Sequence, residues 1–490
     1  MSEQKESPRH KVRRVSRRSF IAGAGLGAAG MWAASRGLER LGDDPARPPE
    51  LYEYFVDNFW FKSAGLENQA INAPLKGHHQ ADIVIIGGGF TGLASAYHLS
   101  ELMPGKKIVL LEGACCGYGA SGRNGGFCDP GLPGLMEYAA SAGLEAGRRA
   151  FEASTFGIAQ IKQMISEHGL SCDFEENGMI EAAITEEQAA SLEEEQKVYS
   201  GLGIKSTMFT GNALKEAINS PRYIAALAIP NGAILNPAKL ARGMKPIVEN
   251  RGVEVRERTV VLRVHPGKIH RIETEMGDIT APALVLGLDG YAPGLGFFRN
   301  HVMPMSSYVI ATEPLSPAQW QSIGWSKRWG LSDIRLLFDY LRPTVDGRIV
   351  IGGSDYPCYA HDALSSGNNK PVIELLTQSL FTTFPQLEGL RIDHAWGGTM
   401  GISRDYTPSV GVMGEYKNIY YGVAYNGEGV AFAQIAGRII AELMSGEHSA
   451  LTELFVVNHP IPYMGPENLR FLLSEAYKTF LKWTNGKKVK

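Results

Sequence analysis

Cysteine is scarce in this chain: of 490 residues only Cys115, Cys116, Cys128, Cys172 and Cys358 are cysteines. None forms a Cys-x-x-Cys pair, so a zinc ribbon or thiol–disulfide motif lacks its donors and no metal site is expected. Five is also too few for a disulfide framework, and the odd number leaves at least one thiol unpaired. Long apolar runs are missing as well, since no segment reaches the roughly 18 residues a membrane span requires. Internal repeats are absent. Net charge is only -3, and seven Lys or Arg against two Glu crowd into residues 1–18. The remainder is therefore more acidic than the total, which excludes a nucleic-acid surface.

What is present begins with length. The chain exceeds the roughly 250–300 residues at which one hydrophobic core stops growing, so two domains are expected. At the N-terminus, RRVSRRSFIAGAGLGAAGMWAA sets a basic stretch before a short, glycine-rich apolar segment. Within it Ser16-Arg17-Arg18-Ser19-Phe20-Ile21 resembles a bacterial twin-arginine export signal. That resemblance implies that residues 1–40 are a signal, that the twin-arginine translocase is a partner, and that the chain folds around a cofactor before export to the periplasm. No A-x-A cleavage site stands out after Trp32, so an uncleaved signal would tether the protein to the membrane. Residues 41–80 read as a Pro-rich linker and an aromatic arm, LYEYFVDNFWF, too rich in rings to be left in water.

The apolar run Ile83 to Ile86 suits a strand buried on both faces. Gly87-Gly88-Gly89-Phe90-Thr91-Gly92 follows, fits G-x-G-x-x-G, and opens a helix with Leu93, Ala96, Tyr97 and Leu99 at helical spacing. A second apolar run, Ile108 to Leu111, ends at Glu112 and completes a βαβ unit. Dinucleotide binding asks for these residues. Gly87 makes the tight turn, Gly89 lets a pyrophosphate reach the backbone, and Gly92 allows helix to pack on strand. The helix start at Phe90 and Thr91 offers free N–H groups and the positive end of a dipole. Glu112 stands where a carboxylate accepts ribose hydroxyls, which disfavours NADP and leaves FAD or NAD. Next comes GACCGYGASGRNGGFC, residues 113–128, a backbone bare enough to run close beside a cofactor. Near the other end, Asn426-Gly427-Glu428-Gly429 turns into a long helix whose N-terminus suits a flavin pyrimidine ring, favouring FAD.

The pattern predicts an α/β fold: a Rossmann-like FAD-binding domain, discontinuous in sequence, plus an α+β substrate domain with an antiparallel sheet. The first is assigned residues 81–150, 226–300 and 391–450, the second residues 151–225 and 301–390, with a tail at 451–490. Helical spacing dominates 151–225, and alternating strands such as SSYVIATEPL and RIVIGGSDY fill 301–390.

Taken in order, the FW lead-in at Phe59-Trp60, ADIVIIGGGFTGL, GASGRNGG, AILNPAKLARGM, MPMSSYVIATEPL, DGRIVIGGSD and WGGTMGISRDYTPSVG give the chain a likeness. From about Phe59 to about Gly446 it resembles the D-amino acid oxidase-like superfamily of FAD-dependent oxidoreductases, especially its gamma-glutamylputrescine oxidase-like branch. The resemblance implies that Ser121, Arg123, Asn124 and Gly125 meet the flavin diphosphate and ring, and that Val260 contacts the adenine side. It places Trp396, Gly397 and Gly398 beside the isoalloxazine, with Asn426, Gly427 and Gly429 at its pyrimidine edge. Asp289 occupies a place where the family commonly has Asn. The cysteine that links flavin in monomeric sarcosine oxidases and the histidine of dimethylglycine dehydrogenases have no counterpart here, so FAD is expected to be non-covalent. The oxygen-activating lysine of sarcosine-type relatives is missing too, which leaves O2 or a respiratory-chain carrier as acceptor.

The implied reaction is oxidation of a C–N bond in a small amine or amino acid, by hydride transfer to flavin N5 and hydrolysis of the imine. It needs orientation more than acid–base apparatus. Tyr340, Arg342, Arg404, Tyr308 and Tyr425 are the candidates on the substrate side, with Arg342 or Arg404 suited to pair with a substrate carboxylate. His394 fits a base or a structural histidine. Two other readings share the same cofactor: a hydroxy-acid dehydrogenase feeding a membrane carrier, and a periplasmic flavin-binding protein without turnover.

Overall fold

The structure, a computed structural model, describes residues 58–66, 70–358, 364, 369–467, 469–476 and 479. The twin-arginine segment, the Pro-rich linker and the end of the tail lie outside the described residues. The described chain opens with a short helix, α1 (Phe59–Ser63), and then forms the βαβ unit: β1 (Ile83–Ile86), α2 (Phe90–Leu102) and β2 (Ile108–Leu111). Farther on come α3 (Pro237–Asn250), β3 (Glu254–Arg256), β4 (Ala283–Leu286), β5 (Met303–Thr312), β6 (Asp339–Pro343) and β7 (Ile349–Gly353). The last part holds α4 (Lys370–Thr383), β8 (Ile392–Ile402), β9 (Ser409–Met413), β10 (Ile419–Val423) and α5 (Gly429–Ser445).

β1 is central in a six-stranded sheet of order β9-β10-β4-β1-β2-β3, parallel except for the β9–β10 edge. Its all-apolar sequence follows from its position, because it is covered on both faces. Ile83 and Ile85 pack with Leu93 of α2, Leu240 of α3 and Ile439 of α5, while Val84 and Ile86 face a smaller four-stranded sheet through Ile272 and Ile279. Asn236 caps α3 by accepting from Lys239 N at 3.1 Å, and Gly252 past its end has φ +87°. Such a cap contributes about 1 kcal/mol.

The second sheet has eight strands, in the order β8, β5, β7, β6, Gly330–Asp333, Met179–Ala183, Ala225–Ile229 and Thr207–Thr210. Its pairings are antiparallel except where Gly330–Asp333 meets Met179–Ala183. Alternation along β5 sends Tyr308 and Ile310 to a core under α4, with Leu376 and Leu380, and Val309 and Ala311 to the opposite face against Trp60 and Trp396. Two segments expected in the cofactor domain, residues 226–229 and Ile392–Ile402, pair into this second sheet instead. Conversely, the helix Phe156–His168, expected in the substrate domain, packs Ile158, Ile161 and Met164 into the core shared by α2 and α5. Sequence order hides such exchanges, since a strand or helix joins whichever apolar face its neighbours leave uncovered.

Candidate active site

The turn from β1 into α2 is built by close approach. Gly87 has φ +106°, and a Cβ there would run into Gly287 O. A Cβ on Gly92 would run into Gly87 O, so only glycine lets the helix start against its own turn. α2 has no side-chain cap from its own N-cap residue, Gly89. Ser121 Oγ reaches in from the neighbouring loop and accepts from Phe90 N at 2.8 Å. Other first-turn N–H groups, Thr91's among them, find no partner inside a helix. Glu112, at the end of β2, closes the cradle: Oε2 accepts from Gly88 N at 2.7 Å and Oε1 from Ala114 N at 2.8 Å. Val260 stands across from Gly113, 3.7 Å from where a Cβ on that glycine would be.

The loop 119–128 passes from this cradle to the second sheet. Asn124 spends its side chain inside the loop, donating to Ala120 O and Ser121 O and accepting from Gly126 N at 2.8 Å. Its part is to shape the loop. Arg123 is 2% exposed, donates Nε–H to Tyr118 O at 2.7 Å and Nη1–H to Gly397 O at 3.2 Å, and finds no partner for Nη2 among the described residues. Trp396 Nε1 donates to Arg123 O at 2.8 Å, and a Cβ on Gly398 would lie 3.0 Å from Arg123 Cβ. Arg123, Trp396, Gly397 and Gly398, drawn from separate motifs, thus meet at one place. A cradle of tight N–H groups and a buried guanidinium with a nitrogen to spare both fit a dinucleotide flavin.

Beyond them, the turn before α5 holds Ala424, Asn426 and Gly427 at positive φ. Asn426 Oδ1 accepts from Ser403 N at 2.9 Å, tying the turn to the end of β8. Gly427 opens toward Met400, whose Sδ would be 3.5 Å from a Cβ there, and Gly429 begins the helix. Asp289, singled out above as a departure, is a junction. Its carboxylate accepts from Gly401 N at 2.7 Å and from Ala424 N at 2.9 Å, joining the end of β4, β8 and this turn. An Asn side chain would offer one acceptor oxygen where Asp offers two, so the carboxylate is what lets one residue take both bonds.

The five substrate-side candidates are scattered. Tyr340 lies on the loop's side of the sheet, its ring against Gly125 and its hydroxyl 3.3 Å from Ser307 Oγ. Burial pushes its phenol up to about 12, so it stays neutral and hydrogen-bonds without taking a proton. Phe127, Phe338 and Tyr356 extend it into a wall of rings, with centroid distances of 5.5 Å from Phe127 to Tyr340, 6.2 Å from Tyr340 to Phe338 and 5.9 Å from Phe338 to Tyr356. Tyr308 points to the far side of the sheet, into the core under α4. Tyr425 wedges between the two glycine turns, its hydroxyl 2.7 Å from Thr91 Oγ1, and braces the starts of α2 and α5. Arg342, 1% exposed, donates to Pro343 O, Gly126 O and Leu235 O, so its guanidinium holds backbone and is not presented to a carboxylate. Arg404 is exposed in the turn after β8. His394 packs its ring 5.6 Å from that of Phe59. Ser307, Phe127, Phe338 and Tyr356 were not singled out from the sequence. Strand parity with Tyr340 and Gly352 is the signal that would have found Ser307.

Comparison with known proteins supplies context for this geometry. The family described as FAD dependent oxidoreductase matches residues 82–443. The probable oxidoreductase OrdL of Haemophilus influenzae is 29% identical over 423 residues, covering 84% of this chain and 94% of its own. Gamma-glutamylputrescine oxidoreductase of Escherichia coli is 31% identical over 398 residues, covering 79% of this chain and 89% of its own. Among solved structures, glycine oxidase from Geobacillus kaustophilus superposes with a TM-score of 0.65 at 18% identity, covering 78% of this chain and all of the other.

Proposed function

Because the chain belongs to the FAD dependent oxidoreductase family, we propose that it oxidises a C–N bond of a small amine or amino acid, leaving an imine that water hydrolyses. Bound FAD supplies the two-electron acceptor. The observation that carries the substrate assignment is the wall of rings from Phe127 through Tyr340 and Phe338 to Tyr356, beside Gly125. Such a wall holds an organic amine by its ring faces. The likeness to an enzyme named for gamma-glutamylputrescine supports an amine over a hydroxy acid. In this reading the Gly87–Gly92 turn, Glu112, Ser121 and Val260 hold the adenosine and diphosphate. Arg123, Gly125, Trp396 to Gly398 and the turn from Asn426 to Gly429 hold the ring, non-covalently. Tyr340 and Ser307 orient the amine. Export by the twin-arginine pathway, supported by Ser16 to Ile21, and electron delivery to O2 or a respiratory-chain carrier complete the proposal.

The purified flavoprotein, offered a panel of amines, amino acids and hydroxy acids without air and with a dye acceptor, tests it. Amines are expected to bleach the visible flavin band; reduction by hydroxy acids alone would sink the assignment. Repeating the assay in air without dye separates oxidase from dehydrogenase.

The Glu112 carboxyl predicts a pH dependence for cofactor uptake. Burial pushes it up to about 7 from 4.5, against the Ala114 and Gly88 N–H groups that pull it down. Without cofactor, the native state therefore keeps a proton that the unfolded chain loses near 4.5, and stability falls as pH rises from there to about 7. Ribose hydroxyls donating to Glu112 favour the carboxylate. FAD affinity is therefore expected to rise with pH up to about 7 and then level off. Calorimetry of FAD binding near pH 6 in buffers of different ionisation enthalpy should report proton release, and Glu112→Gln should abolish it. Equal heats in all buffers for the unsubstituted protein would contradict the assignment.

A further inference from the structure

The loop that carries Arg123 is held from its carbonyl side by donors from distant parts of the chain. Gly122 O accepts from Asn58 Nδ2 at 3.2 Å, Arg123 O from Trp396 Nε1 at 2.8 Å, and Asn124 O from Trp60 Nε1 at 2.9 Å. Gly126 O accepts from Leu235 N at 2.9 Å and Arg342 Nη1 at 3.3 Å. Two of these donors belong to the N-terminal arm. Asn58 uses both ends of its amide, since its Oδ1 also caps α1 by accepting from Trp60 N at 2.8 Å. Capping the helix and holding the loop are therefore one event. Asn58, Phe59, Trp60 and Phe61 are all buried.

The arm also completes the surroundings of Arg123. Its guanidinium carbon lies 4.5 Å from the Tyr118 ring centroid and 5.1 Å from that of Phe61, and these two rings stack 28° from parallel. A Cβ on Gly122 would lie 2.8 Å from Phe61 Cε1, so loop and arm touch with no space between them. No carboxylate among the described residues pairs with Arg123. Burial without a counter-charge is costly, and the two ring faces offset part of it. An arm that only covered apolar surface would have no need to place a ring over a cation.

We propose that Asn58, Trp60 and Phe61 are positioning residues of the cofactor site: the arm clamps loop 122–126 and holds Arg123 so that its unpartnered nitrogen meets an oxygen acceptor of the bound flavin. This rests on the reading that FAD lies against that loop. Trp60→Phe removes one donor and keeps a ring, and Phe61→Leu removes a ring and keeps apolar bulk. Val350→Ala, in the same apolar cluster but touching no loop carbonyl, is the stability control.

Three measurements on the full chain test the proposal. In the apoprotein, Trp60→Phe is expected to speed hydrogen exchange of the 122–126 amides, which requires no flavin. In FAD titrations both arm variants are expected to weaken binding by about tenfold, the worth of one buried hydrogen bond. In redox titration Phe61→Leu is expected to make the flavin harder to reduce, because a less well held cation stabilises anionic reduced flavin less, and Phe61→Tyr is expected to restore the potential. Val350→Ala should lower the melting temperature without either flavin effect. Arm variants that match Val350→Ala in affinity and potential, or that speed exchange without weakening FAD, overturn the proposal. A wild-type chain that takes up no FAD overturns the cofactor reading first, and this proposal with it.

Discussion

Gly92→Ala is expected to yield a chain that purifies without its flavin. The added methyl group would run into Gly87 O and lie 3.1 Å from Gly87 C and 3.3 Å from Ile85 Cγ2. Two of those atoms belong to the backbone of the turn itself, which cannot yield as the tip of a side chain can. Gly287 presses from the next strand, since a Cβ there would already be 3.0 Å from Gly92 N. α2 must therefore back away from β1. Overpacking of this kind costs about 1–3 kcal/mol, which a domain of ordinary stability survives. On the proposed reading the cofactor is affected more, because the N–H groups of the first turn that would meet its diphosphate move away together. A loss of two hydrogen-bonding contacts corresponds to about 100-fold in affinity. Flavin absorbance per protein after gel filtration and an FAD titration of the apoprotein measure it. Ser100→Ala, at the far end of α2, should bind normally. Stoichiometric flavin in Gly92→Ala would refute the role given to this turn.

That prediction comes from a part of the molecule that was legible in the sequence, for a physical reason. Every constraint on the turn is local: a strand whose apolar run needs cover on both faces, glycines where backbone meets backbone, and an acidic residue at the end of the next strand. The substrate side was harder to read because its chemistry depends on which face a side chain takes. Tyr308 and Tyr340 look alike in sequence, yet Tyr308 shares its parity with Ile310 and falls under α4, while Tyr340 takes the other face beside Gly125. Arg342 shares Tyr340's parity and was, with Arg404, one of two arginines suited to pair with a substrate carboxylate. It is instead absorbed by backbone carbonyls at Gly126 and Leu235, more than a hundred residues away. Spacing along one chain cannot show a partner so distant.

The arm illustrates the same point from the other direction. Its rings predicted burial, and α1 buries Phe59, Trp60 and Phe61, each worth about 2–3 kcal/mol. What the composition could not show was the place of burial, against the carbonyls of a loop that begins some sixty residues later.

The largest loss of stability is expected outside any motif, at Glu257. Its carboxylate is fully buried and accepts from Arg242 Nη1 and Lys245 Nζ at 2.6 Å, Cys116 N at 2.7 Å and Asn72 N at 2.8 Å. It therefore joins α3 to the chain at Asn72 and to the loop that follows Glu112. Burial would push this carboxyl up, but Lys245, the Asn72 and Cys116 N–H groups and Arg242 outweigh it and hold it below 4.5. With the folded pKa below the unfolded one, the stability it contributes is present above about 4.5 and lost as pH falls through the folded value. Glu257→Gln keeps the shape and removes the charge that neutralises two buried cations, which should cost about 3–5 kcal/mol. Urea unfolding of the apoprotein at neutral pH measures that loss. The same titration at falling pH should show the variant losing less of its remaining stability to acid than the unsubstituted chain does. FAD affinity should fall as well, since Cys116 N is released beside the residues that hold Glu112. A loss under about 1 kcal/mol, the worth of an exposed pair, together with an unchanged acid limb, would mean that the cluster does not hold the loop that follows Glu112.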